Sequence, residues 1–308
     1  MTTAFVLSGG GSLGAVQVGM LHALAERNVQ PDLLIGTSAG AINAAYVASH
    51  GLGRRSLDNL ATVWRTLRRQ TVFPFDPIRH ALAVTGLRAS LCSSDNLRHL
   101  IDTHLTYRRL QDAPIPVHIV TTNLLSGNEV LLSDGDPVSA VVASASIPGV
   151  FPAVQRDGLT LVDGGVSNNA ALSQAVALGA DEIYVLPTGF ACARQRPPGT
   201  AIGVAVQALS LLIQQRLITD IAHFADHARI NVLPPLCPLD VSATDFRHAG
   251  ELIERARRST ARWLDIGGPR FPEPERFLSL HDHTREPDTA RHACDATAAH
   301  SGTAPTAA

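Results

Sequence analysis

Leu33-Leu34-Ile35-Gly36-Thr37-Ser38-Ala39-Gly40, followed by Ala41-Ile42-Asn43-Ala44-Ala45-Tyr46-Val47-Ala48, reads as an apolar strand, a sharp turn and a helix. The turn has the form G-x-S-x-G, and its place between a strand and a helix gives that form meaning. A serine there sits in strained backbone with its hydroxyl exposed. Gly36 and Gly40 remove Cβ atoms that would clash in so tight a turn. Ser38 is therefore the candidate nucleophile, and the N–H of Ala39 can point at an oxyanion.

Upstream, Ala4-Phe5-Val6-Leu7 is a buried-strand pattern, and Ala15 to Glu26 has helical spacing at Val16, Met20, Leu21 and Leu24. Between them lies Gly9-Gly10-Gly11-Ser12-Leu13-Gly14. By letter this is the G-x-G-x-x-G of a dinucleotide site. That reading requires an acidic residue at the end of the second strand, whereas Asp32 stands at its start. No G-K-[ST] follows, which excludes a P-loop. The remaining use of such a loop is to present backbone N–H groups, beside a helix N-terminus, to a developing negative charge. Gly10 and Gly11 are the foremost donors, within a loop bounded by Gly9 and Gly14.

Downstream, Ser94 is placed to cap a helix bearing Leu97, Leu100, Ile101 and Leu105. Val117 to Thr122 and Glu129 to Leu132 flank Ser126-Gly127 as a hairpin. Leu159 to Val162 is a short strand, Ala171 to Leu178 a helix and Glu182 to Leu186 a strand. This alternation predicts an α/β fold with a mostly parallel central sheet flanked by helices. In residues 201–224, Ile202, Val206, Leu209, Ile213, Leu217, Ile221 and Phe224 form an apolar stripe. It reads as a helix packed on the core; the alternative is a cap or membrane-facing helix near the active site. Residues 268–308, rich in Ala, Thr, Pro and His, read as a disordered tail after a single domain over 1–267.

A serine hydroxyl needs a base. His223, His227 and His248 all lie in or beside helical patterns and read as surface histidines. His281, His283, His292 and His300 fall in the tail. Asp163 ends an apolar strand before Gly164 and Gly165, which taken alone is an ordinary Asp-Gly turn.

Lys plus Arg number 25 and Asp plus Glu 27, a formal charge of −2. No basic surface for nucleic acid is indicated, and so balanced a chain has no strong pull toward anionic headgroups. Membrane contact would rest on apolar surface. Cys92, Cys192, Cys237 and Cys294 are scattered, which indicates neither zinc nor a disulfide framework but reduced intracellular thiols. No metal or cofactor is expected. Without a leader pattern or an apolar run of about 18 residues, the chain reads as cytoplasmic, with peripheral membrane contact left open.

Three segments in this order, Gly9–Gly14, Gly36–Gly40 and Asp163-Gly164-Gly165, resemble the patatin-like phospholipase family. The stretch Ala143-Ser144-Ala145-Ser146-Ile147-Pro148-Gly149-Val150-Phe151-Pro152 is also similar to the one preceding the family's aspartate. The resemblance covers residues 3–265. It implies a patatin-like three-layer sandwich and a Ser38–Asp163 dyad without a catalytic histidine. It further implies an oxyanion hole in the glycine loop and calcium-independent hydrolysis of fatty-acyl esters, phospholipids among them. Two departures stand out: Leu13 occupies a place where the family often has Arg or Lys, and Ala170 follows Asn169 where proline is common. The rivals are a histidine-dependent triad esterase and a catalytically silent lipid-binding protein.

Overall fold

The computed structural model describes residues 1–190, 192–193, 197–199, 201–270, 274 and 278. The strands are β1 (Thr3–Leu7), β2 (Leu33–Thr37), β3 (Val117–Asn123), β4 (Glu129–Leu132), β5 (Val154–Arg156), β6 (Leu159–Asp163), β7 (Glu182–Leu186) and β8 (Arg229–Val232). The helices are α1 (Gly14–Glu26), α2 (Ala39–His50), α3 (Arg54–Thr66), α4 (Arg69–Val72), α5 (Pro77–Val84), α6 (Asp95–His104), α7 (Pro137–Ser144), α8 (Leu172–Ala177), α9 (Ala201–Phe224) and α10 (Ala249–Asp265).

All eight strands join one sheet in the order β5-β6-β3-β2-β1-β7-β8, with β4 also on β3. From β3 through β8 the pairings are parallel, as the β–α alternation expects. β4, β6 and β5 add an antiparallel end. β1 lies where the strand order reverses, and its carboxyl end opens the crevice that such sheets use for ligands.

Two apolar layers cover the faces. One holds α1, α2, α3, α7 and α10; the other is built from α8, the C-terminal half of α9 and the opposite side chains of the same strands. The apolar residues of α1 are not confined to one face because the helix is buried from Gly14 to Leu24, under α10 and beside α3.

Ser94 occupies the N-cap of α6 but its side chain makes no cap bond there. The hydroxyl of Ser93 instead accepts from Asp95 N at 3.2 Å. Of the stripe on α9, Leu217 and Ile221 are buried in the core, while Leu209 and Ile213 face the crevice described below. The side chains of Ile202 and Val206 lie outside the described residues. Gly268–Arg270 form a 3-10 turn, and Leu278 is buried with its carbonyl accepting from Gln214 Nε2 at 2.7 Å. Apart from Pro274, the rest of the segment expected to be a tail, including Cys294 and the four histidines there, lies outside the described residues. Among the described residues, no helix is long and apolar enough to cross a membrane, and no cluster of three His, Cys, Asp or Glu side chains could hold a metal ion.

Candidate active site

Ser38 follows the last residue of β2 and precedes α2, with φ 54° and ψ −119°. Positive φ is uncommon for a residue with a Cβ and costs of order 1–3 kcal/mol. The strain holds because both sides of the turn are packed. Gly40 lies so close to the carbonyl of Leu7 that a Cβ there would collide with backbone. Below, the Ser38 N–H donates to Ser144 Oγ at 2.8 Å, and Ser144 Oγ donates to the Val120 carbonyl at 2.6 Å.

The sheet register brings Asp163 to the serine. Thr37 pairs with Val120 on one side of β3, and Asp163 pairs with Thr121 on the other. Ser38, one residue beyond Thr37, thus comes level with Asp163 across β3. Ser38 Oγ donates to Asp163 Oδ2 at 2.6 Å. Asp163 Oδ1 accepts from Gly165 N at 2.8 Å, and the Asp163 carbonyl accepts from Thr122 Oγ1 at 3.0 Å. Burial raises the Asp163 carboxyl to a pKa of about 6, outweighing the hydrogen bonds from Ser38 and Gly165 that favour its charged form. A carboxyl so tuned, in a cleft and touching a strained serine, is poised to exchange protons near neutral pH.

The glycine loop faces this pair. The Gly9 N–H donates to Asn169 Oδ1 at 3.0 Å, and the Gly9 carbonyl accepts from Asn169 Nδ2 at 3.3 Å and from Thr188 Oγ1 at 2.8 Å. Ser12 N donates to the Ala243 carbonyl at 2.8 Å, and Gly14 N reaches back to Gly11 and Ser12. Gly11 has φ +58° and lies against the Ala243 carbonyl, so no side chain fits there. Among the described residues, the N–H groups of Gly10, Gly11 and Ala39 have no protein acceptor. Of the loop residues named from sequence, Gly9 and Gly14 are thus engaged internally and Gly10 and Gly11 are not. Leu13 is buried in the core, so no charge stands where the family often carries one.

Beneath the loop, Gln17 Nε2 donates to the carbonyls of Ser8 at 2.8 Å and Leu186 at 2.9 Å. Asn43 links Gln17 to the indole N–H of Trp64. These bonds tie the carboxyl ends of β1 and β7 to the starts of α1 and α2.

The cleft above Ser38 has apolar walls: Phe73, Ile147, Pro148, Leu209 and Ile213. Among the described residues, no histidine lines it. His223, in the last turn of α9, and His227, in the turn after it, stack near each other and are exposed, and His248 lies between Asp245 and Glu251. Cys92 is buried; the Sγ atoms of Cys192 and Cys237 lie 3.9 Å apart without a disulfide bond.

No local sequence pattern assigns Ser144, Asn169 or Thr188 a role. Ser144 and Asn169 do lie inside or beside family-like segments, whereas nothing local marks Thr188, which follows β7. Ser144→Ala removes an acceptor and a donor from two buried backbone groups. We expect it to destabilise the protein by about 2–6 kcal/mol, at 1–3 kcal/mol for each of the two buried groups left unpaired. Thermal or urea unfolding checks this. A variant as stable as the wild type would mean that Ser144 does not hold the turn.

The patatin-like phospholipase family model matches residues 5–176. Lysophospholipase NTE1 of Pyricularia oryzae is 27% identical over 195 residues, covering 61% of this chain and 12% of that protein. Patatin-like phospholipase domain-containing protein 7 of Mus musculus is 29% identical over 195 residues, covering 60% of this chain and 13% of that protein. The chain thus spans about an eighth of the length of these curated relatives. The crystal structure of VipD from Legionella pneumophila aligns with a TM-score of 0.42 at 15% identity, covering 86% of this chain and 67% of that one. That likeness is too remote to inform the chemistry.

Proposed function

The chain belongs to the patatin-like phospholipase family, and from that premise we propose that it hydrolyses lipid acyl esters through Ser38 and Asp163. The observation that carries this reading is the 2.6 Å hydrogen bond from Ser38 Oγ to Asp163 Oδ2, made at a strained turn beneath an apolar cleft.

In this reaction Ser38 Oγ attacks the acyl carbonyl carbon and its proton passes to Asp163 Oδ2. The carbonyl oxygen gains the negative charge and is held by the N–H groups of Gly10, Gly11 and Ala39, with Gly9 and Gly14 shaping the loop. Gly36, Gly40, Gly164 and Gly165 shape the turns that carry the serine and the aspartate. Each oxyanion donor is worth about 2.7–4 kcal/mol in the transition state. The bond to the leaving alkoxide breaks and Asp163 returns the proton to it. Water then attacks the acyl-enzyme, loses a proton to Asp163, and Ser38 regains its hydroxyl as the acid leaves. The apolar walls suit a fatty-acyl chain, with a phospholipid or lysophospholipid as the substrate class that the family membership supports.

Hydrolysis of p-nitrophenyl esters of increasing acyl length tests the reading. Turnover is expected to rise with chain length and to stop when a serine-directed phosphonate is added. A folded protein that turns over none of them and resists the phosphonate would sink it in favour of a binding role.

A further inference from the structure

The stretch from Arg65 to Leu91 departs from the balanced composition of the chain. It holds five arginines, at 65, 68, 69, 79 and 88, and one acid, Asp76. Asp76 is occupied as the N-cap of α5, accepting from Ile78 N and Arg79 N. The next acid in sequence, Asp95, opens α6. Arg65 stands 3.8 Å from Glu254. Among the described residues, Arg68, Arg69, Arg79 and Arg88 have no carboxylate within ion-pair distance. The same stretch exposes large apolar side chains: Phe75 is 72% exposed, Ile78 74% and Leu87 74%. Arg68 Nη1 donates only to the backbone carbonyls of Arg65 and Leu67, at 2.8 and 2.9 Å, so its charge is not neutralised. Cations without a carboxylate partner, interleaved with exposed apolar groups, are what an anionic lipid interface recognises, headgroup phosphates taking the arginines and the acyl boundary the apolar side chains.

The position of the stretch gives this composition a use. A groove lined by Arg69, Phe75, His80 and Val150 adjoins the Ser38 cleft, and Phe73, Ile147 and Thr244 line both. An apolar path therefore runs from the serine to the surface that carries the arginines.

We propose that residues 65–91 dock onto an anionic lipid surface, with Ile78 and Leu87 entering the acyl boundary and Arg68 and Arg88 meeting headgroup phosphates. The groove then opens directly onto lipid; this consequence, unlike the docking itself, rests on the hydrolase reading above. The near-balanced charge of the whole chain, −2, hides the feature, because the acids that balance these arginines lie elsewhere.

The test is co-sedimentation of the full chain with vesicles of phosphatidylcholine alone or mixed with phosphatidylglycerol. Two double variants are compared, Arg68→Glu/Arg88→Glu and Ile78→Ser/Leu87→Ser, neither of which touches the cleft or the groove. The wild type should pellet with the mixed vesicles, weakly with phosphatidylcholine, and less as salt rises. The charge variant should bind at least about thirtyfold more weakly, each arginine beside an anionic leaflet contributing about fivefold. The apolar variant should lose about tenfold or more. Wild-type hydrolysis of p-nitrophenyl butyrate by both would show them folded. If esters are not turned over at all, circular dichroism and thermal unfolding serve that purpose. Wild type that ignores phosphatidylglycerol, or variants that bind as the wild type does, would overturn the docking surface. Pelleting with neither turnover of any ester nor reaction with the phosphonate would instead leave the docking standing and remove the hydrolase reading.

Discussion

Replacing Ser38 with alanine is expected to lower ester turnover by about 10⁵-fold or more, because a lost nucleophile leaves only binding and oxyanion stabilisation. The informative comparison is with Ser38→Gly, which is equally inactive. Both variants lose the hydrogen bond to Asp163, so they differ only in the Cβ at φ 54°. Glycine adds about 0.4–1 kcal/mol of unfolded-state entropy to be lost on folding. The strain it relieves is about 1–3 kcal/mol. The glycine variant should therefore be the more stable by about 1 kcal/mol, a rise of about 2 °C in Tm. Parallel thermal unfolding of the two measures it. An alanine variant that melts higher would show the turn to be unstrained, and residual turnover near the wild-type rate would remove Ser38 from the chemistry.

Asp163→Asn is expected to lower kcat by about 10³-fold, within the range that a positioned general base contributes. Asparagine keeps the shape and can still accept from Gly165 N, but it cannot take the proton of Ser38. The pH dependence supplies a second readout. The folded carboxyl titrates at about 6, so wild-type kcat/KM should fall as pH drops through that value, and the variant's residual rate should lack this limb. Stability should move in the opposite sense. The folded pKa lies above the unfolded value near 3.9, so the native state binds the extra proton between about pH 4 and 6. Stability then falls as pH rises across that window, by up to about 3 kcal/mol. The asparagine variant should not show this fall. Near-normal activity in Asp163→Asn would end the dyad assignment, and attention would turn to His223, His227 and His248.

Much of the architecture was legible because it depends on local patterns. The runs Thr3–Leu7 and Leu33–Ile35, each followed by a glycine turn and a helical stripe, define their own elements. The hairpin of Val117–Thr122 and Glu129–Leu132 carries its turn in Ser126-Gly127. Where the local signal had two meanings, the reading stopped short. The stripe on α9 is one face by sequence, yet Leu217 and Ile221 pack on the core while Leu209 and Ile213 wall the cleft. What each turn of the helix meets is set by distant segments, not by its own periodicity. Likewise, the formal charge of −2 is a sum, and a sum has no place on the surface.

By itself, the sequence determined the α/β alternation, the glycine loop after the first strand and the turn that presents Ser38, because turn chemistry and apolar periodicity act over a few residues. The tertiary structure alone decided that Asp163 meets Ser38. An Asp-Gly pair at a strand end is an ordinary turn until β6 pairs antiparallel with β3 in the register that sets Asp163 beside Thr121. One residue of slip would turn that side chain to the other face of the sheet. The same holds for Ser144 under the nucleophile's N–H and for the loop amides left without acceptors. Each depends on which distant groups the packed sheet brings within hydrogen-bond distance, and no local pattern encodes that.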